Sequence, residues 1–191
     1  MVYIDDHLWD FDLDAALQEI SEERRQQALR YRHELGRRQC VLAYLLLKRA
    51  LLREYGIEGN PAFDYGPHGK PLLVGRPDIH FNLSHCREAV ACVVGDRPVG
   101  IDVECIGRYK EDLVRYTMSD AEQAAIAASA EPDVAFTRLW TMKEALLKCS
   151  GEGIVDGLKT ILDGVALRRF TTVVDPLGRY VYTVYPSVSV D

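Results

Sequence analysis

The sequence has little of what a small stapled or metal-bound domain needs. Its five cysteines, Cys40, Cys86, Cys92, Cys105 and Cys149, are odd in number, and no two are spaced C-x-x-C. That argues against a disulfide framework or a thiolate zinc site and leaves the thiols as small reduced hydrophobes. Long hydrophobic runs are missing too. The apolar stretch from Val41 to Leu47 is far shorter than the ~20 residues a membrane-spanning helix requires. The opening residues, MVYIDDHLWD, lack the basic and apolar regions of a secretion signal, so a cytoplasmic protein is expected. An excess of positive charge is absent as well. The net charge is −6, which gives no reason to expect nucleic-acid binding.

What is present is an ordinary globular composition, 48% hydrophobic and 27% charged, which leaves no compositional case for disorder. A length of 191 residues holds one large domain or two small ones and can bury a core without staples. The charge is unevenly spread. Between Arg24 and Arg53 stand nine Lys/Arg and a single acid, Glu34, a local +8. Such a strip is either a solvated helix face or a surface for phosphates or an acidic partner.

Hydrophobic periodicity and cap residues predict a helix after Ser21 and a second, buried one over 35–55 that stops at Gly56. Residues 60–78, rich in Pro and Gly, read as loop with at most a short strand. Three short strands follow at 79–83, 89–94 and 99–104. A helical stretch covers 110–130, a clearer helix covers 134–150, and two strands are expected at 165–174 and 179–186 around a turn at 175–178. The pattern predicts an α+β protein of two small halves, 1–98 and 99–191, joined near Pro98.

Four clusters could carry chemistry. Asp102 and Glu104 are two apart in a strand, so they share a face. Two such carboxylates suit a hard divalent cation, although an ordinary solvated strand end carries the same pair. Gly100, just before them, would admit a ligand close to the backbone. Trp140, Glu144 and Lys148 are four apart on one helical face. They form either a common surface ion pair or a carboxylate and cation working together. Ser84 and His85 end a strand, outside any G-x-S-x-G frame. They can hydrogen-bond phosphate oxygens or simply satisfy each other. Gly69-Lys70-Pro71 lacks the spacing of a phosphate-binding P-loop and is uninformative alone.

Taken together, Lys70, Ser84-His85, Gly100-Ile101-Asp102-Val103-Glu104 and Trp140-Thr141-Met142-Lys143-Glu144 with Lys148 resemble, in order and spacing, the 4'-phosphopantetheinyl transferase superfamily. The resemblance is to its larger, surfactin-synthetase-activating type and covers about residues 20–155. It implies a pseudo-two-fold pair of similar α/β subdomains in one chain, with the active site in the cleft between them and no need of a dimer. It implies holo-acyl-carrier-protein synthase activity: Mg²⁺-dependent transfer of 4'-phosphopantetheine from coenzyme A to a serine of an apo acyl or peptidyl carrier protein, releasing 3',5'-ADP. Such carriers serve fatty acid, polyketide or nonribosomal peptide biosynthesis. Asp102, Glu104 and Glu144 would hold Mg²⁺. Glu144 would also act as base, and Lys148 would steady the leaving group. Lys70, Ser84 and His85 would contact phosphates, and Arg24 and Arg38 would approach the 3'-phosphate. The family's next basic positions fall on Gln27 and Gln39. Two other readings stay open from the residues: a Mg²⁺-dependent pyrophosphate hydrolase, and a non-catalytic module that binds coenzyme A or a carrier protein.

Overall fold

A computed structural model describes residues 1–153 and 157–187. The first half runs β1 (Val2–Asp5), α1 (Leu13–Glu19), α2 (Glu22–Leu29), α3 (Glu34–Tyr55), β2 (Phe63–Tyr65), β3 (Pro71–Leu73), β4 (His80–His85) and β5 (Val90–Gly95). The second runs β6 (Gly100–Cys105), α4 (Glu111–Thr117), α5 (Asp120–Ala128), α6 (Pro132–Ser150), a 3-10 turn (Leu167–Arg169), β7 (Thr171–Val174) and β8 (Tyr180–Tyr185). The class is α+β. β1, β5 and β4 form one antiparallel sheet in that order, and β6, β8 and β7 form another. Each half therefore repeats one plan: a strand, three helices and two strands, with the first strand beside the last. The first half adds the β2–β3 hairpin.

The layers follow from strand alternation. Along β5, Val90, Cys92 and Val94 pack on Leu42, Leu46 and Leu47 of α3. Ala91 and Val93 point the other way, onto Ile101, Val103 and Val184 of the second sheet. Covered on both faces, β5 is an almost unbroken apolar run. The second sheet turns its far face to α6, where Thr141 and Thr183 share a hydroxyl hydrogen bond of 2.8 Å. The order of layers is thus α3, first sheet, second sheet, α6. Each large side chain removed from water here contributes roughly 1.5–3 kcal/mol.

Local signals mark the element ends. The Ser21 hydroxyl accepts the Arg24 amide and starts α2. Gly56 and Gly151 take left-handed conformations that end α3 and α6. Four expectations need correction. The stretch 110–130 is two helices, because Met118 is extended and Ser119 with Glu122 forms a capping box that begins a new one. The strand expected from 165 begins only at Thr171, after a 3-10 turn. Residues 63–73 make a hairpin rather than loop. The N-terminal residues form β1, which pairs with β5, where no element was expected.

All five cysteines are free. No described helix is long and apolar enough to cross a membrane. Across the two halves, Arg179 binds Asp175 on its own hairpin at 2.8 Å and also pairs with Asp6, just after β1.

Candidate active site

The site grows from the seam where β4 of the first sheet lies against β6 of the second. Phe81 and Leu83 of β4 face α3, so Asn82 and Ser84 face the seam. The Asn82 Oδ1 accepts the Ile101 amide at 2.9 Å. The Ser84 Oγ accepts the Val103 amide at 3.2 Å. Two side chains thereby do the work of a strand ladder, and they fix Asp102, which lies between those amides.

Asp102 is nearly inaccessible, with its side chain 3% exposed. Its Oδ1 accepts from the Ser84 hydroxyl at 2.9 Å and from the Lys148 ammonium at 2.6 Å. Lys148 also reaches Ser84 Oγ at 2.9 Å. The other oxygen, Oδ2, is buried and has no hydrogen-bond partner. A buried charged acceptor left bare is costly unless something binds it.

α6 runs back along β6 and brings its i, i+4 face to these acids. Gly100 makes that possible. A Cβ there would collide with the Ala145 carbonyl and the Cys149 amide of α6. The glycine that was expected to admit a ligand admits a helix instead. Glu104 and Glu144 both stand within the field of Asp102. Burial first, and then the Asp102 charge, raise the carboxyl pKa of Glu104 and of Glu144. These acids therefore hold protons more tightly than free carboxylates do.

A cleft of about 200 Å³ opens beside Glu144 and Lys148, lined also by His68, Lys70, Asn82 and Gly151. Lys70 enters it from the β2–β3 turn, but its ammonium donates to the carbonyls of Val99, Lys148 and Cys149 at 3.3, 2.7 and 2.9 Å. It thereby caps the C-terminus of α6. Burial lowers its pKa. His85 is exposed overall at the end of β4, and desolvation by the protein around it and then the Lys148 charge lower its pKa. Arg24 and Arg38 do not line this cleft. Arg24 lies over the rings of Tyr44 and Phe63. Arg38 binds Glu34 at 2.8 Å and the carbonyls of Leu8 and Phe11.

Three carboxylates, one of them with a bare buried oxygen, make the hard, oxygen-rich donor set that Mg²⁺ takes, so the residues fit the ion. In this conformation no three His, Cys, Asp or Glu side chains among the described residues converge closely enough to ligate one ion. A lysine stands at Asp102 instead.

Two contributions were not read from the sequence. Gln39, a departure from the family's basic pattern, is buried and donates to the Cys86 carbonyl at 2.7 Å, steadying the turn after Ser84-His85. Lys143 is fully buried and donates to Glu122 at 2.8 Å and to the Leu158 carbonyl at 2.7 Å. The WTMKE block thus packs as well as lines the site: Lys143 faces inward, and Glu144, one position on, lines the cleft.

The site thus holds a buried carboxylate centre with flanking acids, a half-buried lysine paired to it and a cleft of about 200 Å³ alongside. Residues 98–175 match the model of the 4'-phosphopantetheinyl transferase superfamily. A 4'-phosphopantetheinyl transferase of Bacillus subtilis is 30% identical over 157 residues, 80% of this chain and 70% of the relative. The 4'-phosphopantetheinyl transferase psf-1 of Bacillus pumilus is 32% identical over 176 residues, 88% of this chain and 76% of the relative. The 4'-phosphopantetheinyl transferase HetI of Nostoc is 32% identical over 165 residues, 78% and 69%. The chain belongs to the 4'-phosphopantetheinyl transferase superfamily.

Proposed function

We propose that this enzyme uses Mg²⁺ to move the 4'-phosphopantetheine arm of coenzyme A onto a serine of an acyl or peptidyl carrier protein, releasing 3',5'-ADP. The observation that carries the reading is the buried Asp102 carboxylate, with one oxygen held by Ser84 and Lys148 and the other unpartnered beside two further acids.

In this reading the halves 1–98 and 99–191 enclose the coenzyme between them, and one chain suffices. Asp102, Glu104 and Glu144 would hold the ion, which when bound polarises the attacked phosphoryl group and offsets the charge of the pyrophosphate. The chain's own residues do the rest by positioning and charge. Ser84, His85 and Lys70 present donors to phosphate oxygens. His85, with its pKa lowered, meets them as a neutral ring at neutral pH. Glu144, whose pKa is raised toward the working range, takes the proton of the attacking serine. Lys148 steadies the leaving phosphate. Arg24 and Arg38 lie in the +8 stretch and supply charge toward the 3'-phosphate. The same stretch suits an acidic carrier.

The test is intact-protein mass spectrometry of an apo carrier protein incubated with the enzyme, coenzyme A and Mg²⁺, alongside an EDTA control. A gain of one phosphopantetheine, lost in EDTA, is expected. Coenzyme A cleaved without any gain would replace the reading with a hydrolase. Coenzyme A bound but intact, with no gain, would replace it with a binding module.

A further inference from the structure

We propose that Lys148 is a built-in counter-cation for Asp102, which a divalent ion must displace, so that the centre has two exclusive states, lysine in or metal in. The inference rests on the magnesium reading above and concerns what the chain does before the ion arrives.

Asp102 cannot move to solvent. Its strand is held by Asn82 and Ser84, and its side chain is 3% exposed. Unpaired, that buried charge would be strongly unfavourable. Lys148 relieves it at 2.6 Å and is the mobile partner, 30% exposed on a flexible stem. With the ammonium on Oδ1, a divalent ion on either oxygen of the same carboxylate, the bare Oδ2 included, would stand within a few ångströms of it. A magnesium–oxygen bond of about 2.0–2.1 Å would press two cations together inside a nearly dry pocket. The failure of the acids to converge among the described residues fits a centre closed by its own lysine. The open exit is the cleft, which Lys148 already lines with Lys70 and Asn82. Metal entry therefore sends the lysine to where a phosphate lies. Loading the ion and delivering the ammonium become one event.

This coupling is read from metal binding without turnover. Free Mn²⁺ is followed by its EPR signal in the absence of coenzyme A, for the wild type and for Lys148→Met. The variant has no resident cation to expel and is expected to bind Mn²⁺ at least about tenfold more tightly. Its thermal midpoint without metal should fall, and saturating Mg²⁺ should raise that midpoint more than it does in the wild type. Where circular dichroism finds Lys148→Met unfolded, Lys148→Gln, neutral but still able to donate to Oδ1, serves in its place. Equal Mn²⁺ affinity in wild type and variant overturns the inference while leaving the magnesium reading intact. No Mn²⁺ binding by either protein, with or without coenzyme A, overturns both.

Discussion

Ser84 and Asp102, eighteen residues apart on strands of two different sheets, are joined by a hydroxyl-to-carboxylate hydrogen bond of 2.9 Å. Ser84 also receives the Val103 amide, so one hydroxyl ties the sheets together and orients the central acid. Ser84→Ala leaves a buried amide and a buried carboxylate each short of a partner. It is expected to cost about 1–3 kcal/mol, read by urea unfolding, with transfer activity falling as well. Unchanged stability would mean that the seam is held otherwise.

Glu144→Gln keeps the shape of the side chain and removes its charge. Transfer should fall by about a hundredfold or more, while the dissociation constant of coenzyme A, measured by calorimetry, largely survives. Near-normal turnover would remove Glu144 from both proposed roles.

Gly100→Ala places a methyl group against the Ala145 carbonyl and Cys149 amide of α6. Backbone cannot rotate away as a side chain can, so a loss of about 3 kcal/mol is expected. Gly95→Ala is the control: its Cβ meets nothing nearer than the Arg97 carbonyl at 3.9 Å. It should be close to neutral by thermal unfolding.

Lys143→Met leaves the half-buried Glu122 carboxylate with the Ser119 amide as its remaining partner and strips the Leu158 carbonyl of its donor, and a loss of about 1–3 kcal/mol is expected. Pairing it with Glu122→Gln should recover part of that loss. A double-mutant cycle that proved additive would show the two residues to be uncoupled.

Acid stability offers a check on the Asp175–Arg179 pair of the β7–β8 hairpin. Hydrogen bonds from Arg179 hold the Asp175 carboxyl below its usual 3.8. A carboxyl depressed on folding contributes its stability in full above the unfolded value and loses it as pH falls through the lower folded value. Asp175→Asn should therefore lower the thermal midpoint at neutral pH. The gap from wild type should close as pH drops below 3.8. A gap independent of pH would deny the link.

Much of the fold was legible because it rests on local rules. β-branched residues and flanking turn signals marked β4, β5 and β6. Ser21, Gly56 and Gly151 marked helix ends. The break at Met118 was missed, although the Ser119-x-x-Glu122 capping box spells it. β1 was missed because a four-residue edge strand carries too little periodicity to read, and its pairing partner lies nearly ninety residues away.

By itself, the sequence determined the superfamily and the α+β class, since these depend on residue type, order and spacing along the chain. Tertiary structure alone decided what each charge faces. Arg38 stacks on Trp9 and Phe11, Lys70 caps α6, Gly100 receives a helix, and Lys148 sits on Asp102. The reason is physical. A side chain's partner in a low-dielectric interior is set by which elements fold against it, and spacing along the chain does not encode that.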